Sequence, residues 1–430
     1  MKNYKISVLV VLLLTMTLSC SPSEKKEANG KIIDVAGSVG GGRIIDISEV
    51  AKDIQYIPLE TSAASLVGEY RSIHYENGTI YIRDRTDTLK MFDEEGKLVR
   101  KFCRRGRGPQ EYSFWDNLNV TPKNGDIVIN TLDEHVSILK YDKEGKFIRK
   151  FNTPEDGNFR TMWPIWLNDN AYVATIVSFL DKPDYSAVVY DSLGQIKLLV
   201  PMPKLAPYQV FREDGFSPET DVISVGEEAK PKTKRLDNPE RTLLYRYKNK
   251  MRIVYETNDT VLSIGNNLQI DTPFIFNYGK YRNNSMDRSS ISANTGKHVS
   301  LMGKNQILES EGFLFMKVAL RDYAHEPYEK YRTRGNGTYA MNDSYAIFNK
   351  KTDKFSFLNQ TEKGVLGFRE NLMDGPPFWP TYISDDNSLV MMIPAYSLIE
   401  YANSHKISEK LAKIVKNLKD TDNPIVVIAK

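Results

Sequence analysis

The segment TLKMFDEEGKLVRKF (88–102) recurs as ILKYDKEGKFIRKF (138–151) and again as AVVYDSLGQIKLLV (187–200). Each copy reads as a strand, an Asp-x-x-Gly turn and a second strand. The aspartate accepts hydrogen bonds from the backbone further along the turn, and the glycine takes a positive φ at no steric cost. Asp93/Gly96, Asp142/Gly145 and Asp191/Gly194 mark the turns, and the aspartates recur every 49 residues. Looser copies follow at TVLSIGNNLQI (260–270) and YAIFNKKTDKFSFL (345–358). A repeat of this length is the size of a four-stranded propeller blade. One blade cannot bury both faces of its sheet, so blades must stack radially around an axis.

Outside the repeat, GTIYIRD (78–84), GDIVINT (125–131), AYVATIVSF (171–179) and GFLFMKVAL (312–320) are further strands, rich in β-branched and aromatic residues and bracketed by turn residues. The expected fold is therefore all-β, a propeller of five to seven four-stranded blades. The 388 residues from Arg43 to Lys430 leave about 65 per blade if there are six, so some loops must be long. Three regions read as insertions: 203–241, 280–305 and 321–342, the last splitting the fifth copy between its second and third strands. A ring must close. RIIDISEV and DIQYIPLE (43–60) and NPIVVIAK (423–430) are the strands expected to share the last blade, removing exposed edges. Between them, HKISEKLAKIVKNLKD (405–420) places Ile407, Leu411, Ile414, Val415 and Leu418 on one helical face. This is expected to be the one C-terminal helix, packed on the ring; a membrane-surface helix is the alternative.

Residues 1–19 read as a signal peptide. Lys2 and Lys5 precede a short apolar run, Ile6 to Leu14, well below the ~20 residues of a spanning helix. Thr17-Leu18-Ser19-Cys20 then resembles the lipobox of bacterial lipoproteins, with Thr17 where Leu is usual. Cys20 would carry the lipid and anchor the chain to a bilayer, and Ser21 after it favours the outer membrane, facing the periplasm or the cell surface. Residues 20–42 read as a polar, Gly-rich flexible tether ahead of the propeller at 43–430.

IQYIPLET (54–61), GRGPQEY (106–112), YDKEGKFIRKF (141–151), NDTVLSI (258–264) and PFWP (377–380) together resemble a family of six-bladed β-propeller lipoproteins common in gut Gram-negative anaerobes. The likeness runs over nearly the whole chain after the signal segment. It implies six blades, an architecture related to NHL-type propellers, and an outer-membrane address. Most members have no established activity.

Chemistry is sparsely marked. Lys plus Arg is 58 against Asp plus Glu at 55, a net +3 that gives no basic stripe for nucleic acid. Two cysteines exclude a disulfide scaffold. The five histidines form no metal motif, and no cofactor or metal is expected. His74 and His135 read as surface or satisfied structural groups. Cys103, between strand and arginines, reads as a small buried residue or a reactive thiol. The loop CRRGRGPQEY (103–112) carries Arg104, Arg105 and Arg107, whose planar forks suit carboxylates or phosphates. Its other reading is a blade-to-blade staple in which Glu111 pairs with an arginine. Trp115, Trp163, Trp166 and Trp379 follow blade junctions, where indoles either meet a ligand or wedge between blades. Tyr323 and Arg332 belong to the 321–342 insertion, which reads as a contact surface or a solvated loop. These features point to a non-catalytic binding or scaffold module for a glycan, a peptide or an envelope protein. The alternative is a hydrolase or lyase acting on glycans or lactones in the propeller channel. It needs two or more convergent acidic or histidine groups at the axis.

Overall fold

Every copy of the repeat forms the third and fourth strands of one antiparallel sheet. The computed structural model describes residues 30–113, 115–132, 135–178, 185–202, 242–255, 258–282, 296–301, 307–331 and 338–430. The signal segment, Cys20 and the 203–241 insertion lie outside the described residues, as do parts of the other two insertions.

Blade I runs Tyr70–Glu76, Thr79–Asp84, Leu89–Phe92 and Leu98–Phe102 from axis to rim. Blade II is Trp115–Val120, Ile127–Leu132, Val136–Tyr141 and Phe147–Asn152. Blade III is Phe159–Asn168, Ala171–Ser178, Tyr185–Tyr190 and Ile196–Pro201. Blade IV is Thr242–Tyr247, Lys250–Tyr255, Thr260–Ile264 and Ile270–Asn277. In blade V, Ser300–Leu301 and Ile307–Glu309 share the inner position beside Phe313–Ala319, Asp343–Asn349 and Lys354–Phe357. The 321–342 insertion leaves between its second and third strands and forms a hairpin, Tyr328–Tyr331 with Thr338–Met341. The inner strands neighbour one another in the closed order I to VI and back to I, so the ring has six blades.

Blade VI is made from both ends of the chain. Tyr382–Ile383 and Leu389–Ile393 pair outward to Ile425–Ala429, whose outer partner is Ile54–Pro58. Where other blades have a turn between the third and fourth strands, blade VI has the backbone of Lys430 and Asp53 exchanging hydrogen bonds of 2.9 Å. Buried Asn423 ties the joint, accepting from Val67 N at 2.7 Å and donating to the carbonyls of Glu60 and Ser65. Tyr56 in the closing strand donates to the buried carboxylate of Glu370 at 3.0 Å.

Three expectations change. RIIDISEV is not a strand: it makes isolated bridges at Arg43 and Asp46 and a 3-10 turn, Ile47–Glu49, that seats Ile45 and Ile47 in the core. Lys31–Asp34, placed above in the tether, adds a fifth, parallel strand to the rim of blade IV beside Ile270–Asn277. The C-terminal helical region is two short helices, α1 (Ala395–Ser404) and α2 (Glu409–Val415). Ser408 caps α2, accepting from Leu411 N at 3.2 Å. The expected apolar face is kept: Leu411 is fully buried, and Ile407, Ile414, Val415 and Leu418 pack on the core between blades V and VI.

Six apolar clusters fill the six blade interfaces. The repeat turns add contacts at the rim. The carbonyl oxygen of Gly96 accepts from Glu60 N just past the closing strand of blade VI, Arg100 of blade I donates to Glu144 O of blade II, and Arg149 of blade II donates to Ser192 of blade III. Each Asp-x-x-Gly turn thus leans on the blade before it. Asp93, Asp142 and Asp191 accept from the backbone four residues on at 2.7, 2.8 and 3.0 Å. A Cβ on Gly96 would lie 2.3 Å from Pro58 O, whereas one on Gly194 meets nothing nearer than Asn152 O at 3.4 Å. Both have positive φ, so Gly194→Ala is expected to cost about 1 kcal/mol and Gly96→Ala at least about twice that. Denaturant melts of the two variants check this; equal losses would mean that the turn's contact with blade VI contributes nothing.

Candidate functional site

A chain of side-chain contacts crosses the axis at the end of the ring where first and second strands connect. Glu76, at the end of the inner strand of blade I, accepts from Tyr382 Oη of blade VI at 2.6 Å and from Asp385 N at 3.4 Å. Asp385 binds Arg246 of blade IV through two parallel bonds of 2.7 Å. Blades IV and VI are not neighbours, so this fork reaches past the inner strand of blade V. The Arg246 guanidinium lies 4.7 Å from the ring centre of Trp166 in blade III, a cation–π distance. His74, two residues before Glu76 and on the same face of its strand, packs its ring against Tyr382 at 4.7 Å. Four blades therefore meet in one polar cluster. At the same end, Lys248 of blade IV pairs with Glu311 of blade V, whose backbone N–H donates to Asn387 of blade VI.

The cluster is dry enough to move proton affinities. Glu76 is 4% exposed, and burial, with the nearby negative charge of Asp385, pushes its carboxyl up to about 7 despite the Tyr382 and Arg246 contacts that favour the anion. Burial draws the His74 imidazole down to about 4, so it is neutral at pH 7. Tyr382 is held well above the usual phenol range by burial and by the Glu76 carboxylate. Several polar atoms around the cluster have no protein partner. Trp166 Nε1 and Arg246 Nε are donors without acceptors, and Asn130 Oδ1 is an acceptor without a donor. Asn130 donates from its other amide atom to Pro164 O at 2.5 Å, beside Trp166 on the inner strand of blade III. An unpaired buried polar atom costs about 1–3 kcal/mol, so an acceptor supplied from outside the protein would stabilise the Trp166 and Arg246 donors. Among the described residues, no group of three or more His, Cys, Asp or Glu is placed to hold a metal.

The residues singled out from the sequence fall elsewhere. Arg104, Arg105 and Arg107 are exposed on the loop between blades I and II, at the opposite ends of the strands from the axial cluster. The loop is a staple, but not through Glu111 and an arginine. Glu111 accepts from Gly108 N at 2.9 Å, and Tyr112, fully buried, does the fastening. Tyr112 Oη accepts from Arg104 N and donates to Asp87 O, and Tyr141 Oη reaches Gln110 O. Cys103 is exposed rather than buried. Trp379 is wedged in the core, stacked on Tyr345 at 4.0 Å and on Phe368 at 5.4 Å. Trp163 sits half-buried at a bulge in the inner strand of blade III, with φ +49°. Trp115 opens the inner strand of blade II, and its side chain lies outside the described residues. Tyr323 packs edge-on against Tyr281 at 4.7 Å. Arg332 lies outside the described residues. His135 is exposed and paired with Glu155, as a surface residue should be. His74 is the histidine that the sequence left among structural groups and the fold brings to the axis. No local signal marked the cluster, because Glu76 and Tyr382 are 306 residues apart and Arg246 and Asp385 are 139 apart.

Residues 30–430 match a domain of unknown function, DUF4934, and the chain belongs to that family. No functionally curated protein matches it. Among solved structures, it is similar to a protein of Bacteroides fragilis described as exported, with 16% identity, a TM-score of 0.59, and coverage of 93% of this chain and 99% of that one. A DUF4221 member from Bacteroides vulgatus shares 13% identity at a TM-score of 0.45, over 88% of this chain and 96% of that one. A streptogramin B lyase shares 11% identity at a TM-score of 0.34, over 87% of this chain and 97% of that one. The likeness to the Bacteroides fragilis protein agrees with the fold, a six-bladed β-propeller, and the class so defined is one of unknown function. Among the described residues, no helix is long and apolar enough to cross a membrane.

The two shifted groups of blade I predict a compensated pH response. Between pH 4.5 and 6.5, folding adds a proton to Glu76, whose raised affinity favours the fold as pH falls. Over the same window it removes one from His74, whose lowered affinity disfavours the fold as pH falls. The two slopes cancel. Glu76→Gln is expected to leave a protein that loses stability from pH 6.5 to 4.5, and His74→Asn one that gains it, each by about 3 kcal/mol at most. Melting curves across this range check both signs. If both variants track the parent, the cluster is not as dry as its geometry implies.

Proposed function

We propose that the protein is an exported, lipid-anchored propeller that binds a small polyhydroxylated ligand, such as the end of a glycan, at the axial cluster without chemical turnover. One observation carries this reading: the convergence of Glu76, Tyr382, Asp385, Arg246 and Trp166 from four blades, with donors and an acceptor left unpaired. Trp166 Nε1 and Arg246 Nε need an acceptor, and Asn130 Oδ1 needs a donor. A hydroxyl supplies both in one group. Arg246 is already neutralised by Asp385, so the site has no strong preference for a charged ligand.

The test is a glycan array probed with the purified protein, with and without chelator. Trp166→Phe keeps the ring and deletes the N–H, and is expected to weaken a hit roughly 3- to 10-fold, the worth of one neutral hydrogen bond. A hit unaffected by Trp166→Phe and by Arg246→Lys would place binding elsewhere.

A second reading, a hydrolase or lyase working at the same point, is favoured by one specific observation. Glu76 holds a proton near neutral pH beside the carboxylate of Asp385, as a general acid requires. Release of product from a bound glycan, abolished in Glu76→Gln, would move this reading ahead; binding that survives Glu76→Gln without turnover in the parent removes it.

The anchor rests on the lipobox-like Thr17-Leu18-Ser19-Cys20 and is supported by the likeness to a protein described as exported. Cys20→Ala is expected to move the protein from the membrane fraction to the soluble periplasmic fraction. Unchanged partition would sink the lipoprotein reading.

A further inference from the structure

A lysine-rich surface lies away from the axis, around helix α2. Residues 405–420 contain Lys406, Lys410, Lys413, Lys416 and Lys419 against two carboxylates, Glu409 and Asp420. That excess of three positive charges equals the net charge of the entire 430-residue chain. All five lysines are exposed, and among the described residues none is within ion-pair distance of a carboxylate. The helix needs none of them to stay in place, because Leu411 is fully buried and Ser408 caps its start.

Between α2 and the end of the closing strand lies a cleft of ≈550 Å³. Lys413 and Lys419 stand at its rim, and Pro58, Leu59, Ile414 and Leu418 supply its apolar surface. Ile414 and Leu418 are only partly covered by the core they pack on. Leu59 is 4% exposed, so most of the cleft's apolar surface comes from Pro58, Ile414 and Leu418. The one carboxylate in the lining, Asp422, is engaged by the backbone N–H of Lys419 at 2.8 Å.

We propose that this cleft docks an acidic peptide segment of a partner protein, which places an apolar side chain between α2 and the closing strand while its flanking carboxylates meet Lys413, Lys416 and Lys419. Charge complementarity names the sign of the partner, and the shape names its class. A cleft between a helix and a strand end offers an inserted side chain two walls, which a flat bilayer surface does not fill. A single side chain on an extended segment fits between those walls, and the lysines beside it give orientation and encounter rate. Because the cleft is built on the strand that closes the ring, an occupant would also be expected to stabilise the closure by binding only the folded state.

The experiment measures binding of the purified protein to short acidic peptides, each with one central Leu or Phe among Asp and Glu. The controls are the same peptides with Asn and Gln in place of the acids, and phosphatidylglycerol vesicles. Binding is expected for the acidic set alone, weakening with added salt. The double charge reversal K413E/K419E is expected to lower affinity roughly tenfold, two rim ion pairs' worth, with an unchanged melting temperature because both side chains are exposed. Leu418→Ser is expected to lower affinity while leaving the salt dependence intact. The proposal is overturned if no acidic peptide binds, if neutral peptides bind as well, if K413E/K419E binds like the parent, or if vesicles capture the protein and peptides do not.

Discussion

The pairing of Ile54–Pro58 with Ile425–Ala429 is the interaction on which the rest of the structure depends. A propeller sheet buries its faces only against the next blade, and an unclosed ring would leave two blades with open faces and a strand edge in water. Closure here is done by hydrogen bonds along five residue pairs, by the exchange between Lys430 and Asp53, and by the buried side chain of Asn423. Each holds residues more than 300 positions apart, so closure carries a large entropy cost that the six apolar interfaces must offset together. The parallel strand Lys31–Asp34 extends the same logic. It covers the rim of blade IV, and Lys31 reaches Asp353 in the repeat turn of blade V.

Closure also creates the axial cluster. Tyr382 and Asp385 belong to the closing blade and Glu76 to the first, so their contact exists only once the ring is complete. The same region has a second buried charge group. Glu309 of blade V accepts from Arg252 at 2.9 Å and Lys350 at 2.7 Å, fully shielded from water. Buried ions of this kind stabilise little relative to an apolar core, but losing one partner leaves an uncompensated charge that costs about 3–5 kcal/mol. The difference between the two groups is instructive. Glu309 holds two cations, whereas Arg246 holds one carboxylate, Asp385.

Reading the sequence worked where the physics is local. An Asp-x-x-Gly turn is specified by four residues, and all five copies of the repeat became the outer strand pairs of blades I to V. The sixth copy could not be read as a repeat, because its third and fourth strands, Ile425–Ala429 and Ile54–Pro58, lie far apart in sequence and no turn joins them. RIIDISEV failed for a related reason: its alternation of apolar and polar residues suits a strand, but its neighbours in the core are reached by a 3-10 turn and single bridges. The Arg-rich loop was legible as a blade junction but not in its fastening. Tyr112 gave no charge signal, and its burial between blades I and II came only from the fold.

By itself, the sequence determined the repeat, the radial stacking it demands, the need for both termini in one blade, and the apolar face of the C-terminal helix. Those follow from turn chemistry, strand alternation and helical period, each confined to a few neighbouring residues. Only the tertiary structure decided which polar residues meet. Glu76, Arg246, Tyr382 and Asp385 stand in unremarkable strand ends and turns, and their proximity to one another is set by the closing of the ring. The shifted proton affinities of Glu76 and His74 have the same origin, since burial in a low-dielectric site depends on every blade being in place and on nothing that a short stretch of residues encodes.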